Sequence, residues 1–128
     1  LRVSAQSVWP ALAATPAQAS RAPRSDESWQ EARPMPDGAV NLSFGGWNPE
    51  SGAELELPGG ARLRIDADAV FEHLVLHRPD PPRYVCVEPV SHVSDGFNLA
   101  AQGVAGTGTR ILAPGETLRG SVRLTRIA

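Results

Sequence analysis

Residues 53–65 read Ala-Glu-Leu-Glu-Leu-Pro-Gly-Gly-Ala-Arg-Leu-Arg-Ile. Apolar and charged residues alternate on both sides of Pro58-Gly59-Gly60, which has the chemistry and the length of a tight hairpin turn. Charge fixes the register. If Leu57 faces Ala61, then Glu56 faces Arg62, Glu54 faces Arg64, and Leu55 meets Leu63 on the opposite face. Each such cross-strand pair contributes roughly 0.2–1 kcal/mol. A slip of one residue would set Glu against Leu, so the pairing is strongly specified.

The same period of two recurs on both sides of the hairpin. Upstream, Leu1–Val8 alternates weakly and reads as a strand, and Val40–Trp47 is a short apolar strand running into Gly45-Gly46. Downstream, Phe71–His77 reads as a strand with Phe71, His73, Val75 and His77 on one face. Tyr84–Val90 places Tyr84, Cys86 and Glu88 on one face, and Val85 and Val87 on the other. Thr117–Ile127 alternates for eleven residues and predicts a long half-buried strand. Residues 10–38 break the pattern. Pro10, Pro16, Pro23, Pro34 and Pro36 fall there, which predicts an irregular Pro/Ala-rich crossover pinned to the body by Trp29. Residues 94–108 read as a Gly-rich loop, and no window carries a helix of three turns. The β-rich body is 40–128, and the fold class is all-β, an antiparallel β-sandwich.

With 128 residues, 41% hydrophobic and 20% charged, the chain holds at most one domain. Its net charge of −2 gives no electrostatic case for nucleic acid or an anionic membrane. All 12 basic residues are Arg, which excludes a Schiff-base lysine and a P-loop. Cys86, the one cysteine, permits neither an internal disulfide nor a cysteine-based zinc cage. The short apolar runs offer no membrane span and no signal peptide, so a cytoplasmic location is expected.

Several constellations invite chemistry. His73 and His77 share a strand face but lie about 13 Å apart along it, too far to share one zinc with ligands near 2.1 Å. Ser91, His92 and Asp95 are too close in sequence to be expected to converge as a triad. Gly103, Gly106 and Gly108 do not match a dinucleotide fingerprint. Glu88 differs from these. Pro89 biases it toward an extended conformation, and neighbours Val85, Cys86 and Val87 would desolvate it toward base strength. A glutamate exposed at the end of a strand is the competing reading. Trp47 reads equally as core packing and as an aromatic face open to a ligand.

The stretch Tyr84-Val85-Cys86-Val87-Glu88-Pro89-Val90-Ser91-His92 is followed by Phe97-Asn98 and Leu112-Ala113-Pro114-Gly115-Glu116. Together with Phe44-Gly45-Gly46-Trp47 and the Glu/Arg hairpin, it resembles the C-terminal part of the aldose 1-epimerase (galactose mutarotase) family. The order and spacing fit from about Val40 to the end, while the first 38 residues match loosely. The resemblance implies that residues 1–128 are the C-terminal portion of one large β-supersandwich. The N-terminal half of that domain, or a completing chain, would then be its partner, and the 128 residues would not fold stably by themselves.

The resemblance also implies an isomerase that interconverts the α and β anomers of a monosaccharide without cofactor or metal. Glu88 would be the general base that takes the anomeric hydroxyl proton, with Asn41 and Trp47 binding substrate. Two departures stand out. The family's catalytic histidine and its second sugar-binding histidine belong to the N-terminal half, and none of His73, His77 or His92 occupies that motif. The family's usual aspartate, three residues before the phenylalanine, is here Asn41, which offers hydrogen bonds but no charge. Two alternatives remain open: a hexose-6-phosphate 1-epimerase, drawing on Arg33, Arg78, Arg83 or Arg110, and a non-catalytic carbohydrate-binding sandwich.

Overall fold

The structure, a computed structural model, describes residues 1–10 and 19–128. Two four-stranded antiparallel sheets enclose one core. The first has the order β1 (Arg2–Val3), β4 (Ala53–Glu56), β5 (Arg62–Ala67), β8 (Val122–Ile127). The second has the order β2 (Ser7–Pro10), β3 (Val40–Gly45), β6 (His73–Arg78), β7 (Cys86–Val90). The all-β sandwich expected from the alternating pattern is what forms.

The β4–β5 hairpin adopts the register that its charges specify: Ala53 opposite Ile65, Glu54 opposite Arg64, Leu55 opposite Leu63 and Glu56 opposite Arg62. Its turn closes with the Leu57 amide donating to the Ala61 carbonyl at 2.8 Å. The ion pairing is more diagonal than the register suggests. Arg62 reaches across to Glu54 at 3.0 Å, and Arg2 on β1 reaches the same carboxylate at 2.6 Å. One acid thus joins three strands.

Leu1, Val3, Ala5 and Val8 all enter the core, but Leu1–Val8 is not one strand. The chain leaves the first sheet after Val3 and joins the second at Ser7, so the segment stitches the two sheets together. Of the 10–38 crossover, residues 11–18 lie outside the described residues. The remainder is irregular apart from a single 3-10 turn at Ser25–Glu27. Trp29 pins it, buried edge-to-face against Phe44 with ring centroids 6.0 Å apart. A fork of two hydrogen bonds from Arg21 to Glu27, each 2.6 Å, holds its middle and draws the Glu27 carboxyl down to about 2.

Two further expectations fail. The first is that 94–108 is all loop; Gly96–Ala101 instead forms a short helix, α1. The second is that Thr117–Ile127 is one long half-buried strand. Only Val122–Ile127 pairs, and it does so at the sheet edge. Its apolar residues meet core positions in register, Leu124 opposite Ile65 and Val122 opposite Ala67. Nothing among the described residues covers them, and Leu124 is 65% exposed. Alternation correctly marks the face of β8 that turns toward the core, but it cannot report whether a neighbour is there to bury it.

Candidate functional site

Antiparallel pairing decides which side chains share the outer face of the second sheet. Val8, Phe44, Leu74 and Leu76 point into the core. The alternate residues therefore point outward. Two rows cross the strands on that outer face. One is Trp9, Ser43, Val75, Glu88, and the other is Asn41, His77, Cys86. Asn41 and Glu88, 47 positions apart in the sequence, thereby come to one face, in adjacent rows and two strands apart.

The segment after β7 covers one end of this face. Val93, Leu99 and Val104 pack on Trp9, and the Val93 amide donates to the Thr107 carbonyl at 3.0 Å. His73 is caught beneath. It is 3% exposed, lies edge-on to Trp9 at 6.2 Å, and has no hydrogen-bond partner for either ring nitrogen among the described residues. Burial pushes its pKa below the ordinary histidine value; the Glu72 charge partly offsets this and His92 adds to it. His73 is therefore neutral in the folded chain at neutral pH. Its unfolded pKa is about 6.5 and its folded pKa lies lower, so the stability it supports is complete above about pH 6.5 and declines below it. Protection factors of residues 93–104, which normalise amide exchange to its intrinsic base-catalysed rate, are expected to fall as pH drops from 7 to 5. His73→Phe should flatten that dependence; an unchanged profile would show that His73 is not its source.

The other end of the face is open. Asn41 and Glu88 are exposed, and His77 and Cys86 are half-buried. Glu88 is therefore not desolvated among Val and Cys as its neighbours in sequence suggest. Val85 and Val87 belong to the core side, and β7 is a sheet edge. No ion pair holds Glu88 among the described residues. Its contact is with the Cys86 thiol, whose pKa is raised by burial first and by the Glu88 hydrogen bond and charge second. The raised pKa keeps the thiol protonated beside the carboxylate, and Glu88 itself is exposed to solvent.

The third expected site residue lies elsewhere. Trp47 is 4% exposed within the core, and its indole N–H donates to the Phe71 carbonyl at 2.6 Å. Its aromatic face is spent on packing. Ser91 Oγ lies 3.2 Å from His92 Nδ1, but Asp95 bonds to Asn98 and does not orient the ring, so no triad forms. Among the described residues no cluster of three or more His, Cys, Asp or Glu is arranged to hold a metal, and no helix is long and apolar enough to cross a membrane. A groove of about 630 Å³ runs beside Leu1, Arg33, Met35 and Leu55, sharing no residue with the outer face of the second sheet.

No protein-family model and no curated protein matches the sequence. Among solved structures, a protein of Escherichia coli K12 described as a "putative aldose 1-epimerase" aligns with 98% of this chain at a TM-score of 0.73 and 21% identity. This chain shares its fold. The shared part spans 45% of that protein's length. The likeness is one of architecture, an all-β sandwich of two antiparallel sheets.

Sequence reasoning missed the residues that frame this face. Trp9 belongs to it through register with Ser43, which no local pattern reveals, and the same register adds His73, opposite Gly45, which alternation places only on the His77 face of its own strand. Tyr84 lies before β7 begins, yet it contacts His77 at a ring separation of 6.0 Å.

Proposed function

We propose that the chain is the C-terminal portion of an aldose 1-epimerase-like isomerase that interconverts the α and β anomers of a monosaccharide. The observation carrying this reading is the placement of Glu88, exposed and unpaired by any cation among the described residues, on the same open face as Asn41. Glu88 accepts the proton of the anomeric hydroxyl. A general acid protonates the ring oxygen, the C1–O5 bond opens, the aldehyde end rotates, and the ring recloses on its other face. The reaction moves only protons, so no cofactor is needed, and each positioned acid or base supplies typically 10²–10⁴-fold. Asn41 orients a sugar hydroxyl. The general acid, and the strands that cover Val122 and Leu124 on β8, come from a completing half-sandwich, either another segment of the same protein or another chain. A single free thiol, half-buried at Cys86, suits the reducing cytoplasm.

The test is anomer interconversion by the natural protein, followed by the optical rotation of freshly dissolved α-D-glucose and α-D-galactose, with glucose 6-phosphate alongside. Faster equilibration of the free sugars than in buffer is expected. Acceleration confined to the phosphorylated sugar would move the reading to a hexose-6-phosphate 1-epimerase. Sugar binding with no acceleration would make this a carbohydrate-binding sandwich.

A further inference from the structure

A pyranose presents polar hydroxyl edges and an apolar C–H face, and a site for it needs an aromatic surface beside its hydrogen-bonding groups. Trp47 cannot be that surface, because its ring is enclosed in the core. Trp9, Trp29 and Phe44 are buried as well. Two aromatic rings remain well exposed, Phe97 and Tyr84. Phe97 lies against His92, at a centroid distance of 5.2 Å, on the segment that covers the other end of the face. Tyr84 is 56% exposed and lies at the open end.

We propose that Tyr84 and His77 form the aromatic wall of the sugar site, packing against the C–H face of an aldopyranose and setting its affinity. The inference rests on the reading of Glu88 as the base, and it adds a binding determinant to that site. His77 fixes the side on which Tyr84 lies. His77 alternates with core-facing Leu76 on β6, so its ring is on the outer face, directly opposite Asn41 and Cys86. The Tyr84 ring contacts it at 6.0 Å with a tilt of 43°, and so borders the same face. Tyr84 precedes Glu88 by four residues, about 13 Å along an extended chain, which leaves room for one hexose over Cys86 and His77. Asn41 bounds this space from β3. Polar groups then meet the rim of the ring and the two aromatic groups meet its face. The phenol hydroxyl and the imidazole also offer hydrogen bonds to hydroxyls at the edge.

The wall acts on binding and leaves the proton transfer to Glu88. In the natural protein, Tyr84→Ala is expected to raise KM about 3- to 10-fold, as the loss of one ring contact implies, with kcat held within about twofold. Tyr84→Phe keeps the ring and removes only the hydroxyl, so it should raise KM less than Tyr84→Ala does. A methyl pyranoside, which cannot open its ring, supplies a readout independent of turnover. Saturation-transfer NMR should show its C–H protons contacting the wild-type protein, and that signal should fall in Tyr84→Ala and persist in Glu88→Gln. Unchanged KM and unchanged saturation transfer in Tyr84→Ala would overturn the wall. Full activity in Glu88→Gln would instead overturn the base, whatever Tyr84 does.

Discussion

Glu88→Gln is expected to lower the anomer-interconversion rate by about 10²–10⁴-fold, the range for loss of a positioned proton acceptor. The substitution keeps the length, the extended backbone before Pro89 and the ability to accept a hydrogen bond from the Cys86 thiol. What it removes is the capacity to take a proton. Because Glu88 is exposed at the edge strand β7, the folded state tolerates an amide there without leaving a buried group unpaired. Its effect should therefore appear in kcat, with melting behaviour unchanged. A split between KM and kcat separates this residue from its neighbours: Asn41→Ala should act mainly on KM. Retained turnover in Glu88→Gln would leave the outer face a binding surface and shift the reading to a carbohydrate-binding sandwich.

The residues that were legible in the sequence are those whose neighbours determine them. Glu54, Glu56, Arg62 and Arg64 fix the β4–β5 register because only one alignment pairs opposite charges and buries Ala53 and Ile65 together. The strand around Glu88 was likewise legible, because Val85 and Val87 alternate with it toward the core. The residues that were not legible depend on partners distant in the chain. Trp47 follows a strand just where an aromatic could face either way; the Phe71 carbonyl, 24 positions on, draws its N–H inward. The helix Gly96–Ala101 is shorter than two turns, so no hydrophobic period could announce it. It forms because Leu99 finds Trp9 from the opposite end of the chain. Val85, Cys86 and Val87 together predict a desolvated Glu88, but in a strand Val85 and Val87 point to the other side and only Cys86 shares its face. The environment of its carboxylate is set instead by β6 across the ladder and by open solvent beyond the edge.

Gly108→Ala is expected to destabilise the covering segment by about 2–5 kcal/mol, the combined cost of left-handed backbone and overpacking. Gly108 has φ +72°, a region L side chains rarely adopt. A Cβ there would fall 2.9 Å from both Cδ2 and Nε2 of His73 and would overlap the Ser91 carbonyl oxygen. His73 cannot swing aside, because Trp9 closes its other flank. Ser91 cannot retreat without disturbing β7, which ends at the residue before it. The chain should therefore yield by lifting residues 93–109 off Trp9 and His73. Gly106→Ala is the matched control. Its φ is +75°, but its Cβ would approach nothing nearer than Trp9 Cζ2, at 3.8 Å. It carries the backbone strain without the collision and should cost about 1–2 kcal/mol. The two variants together separate conformation from close contact. Faster amide exchange at Val93 and Leu99 in Gly108→Ala, and less of it in Gly106→Ala, is the expected pattern, while equal effects would mean the His73 contact contributes nothing to holding the segment down. Adding His73→Ala to Gly108→Ala should recover part of the loss, since it removes one of the two colliding groups and leaves the Ser91 carbonyl in place.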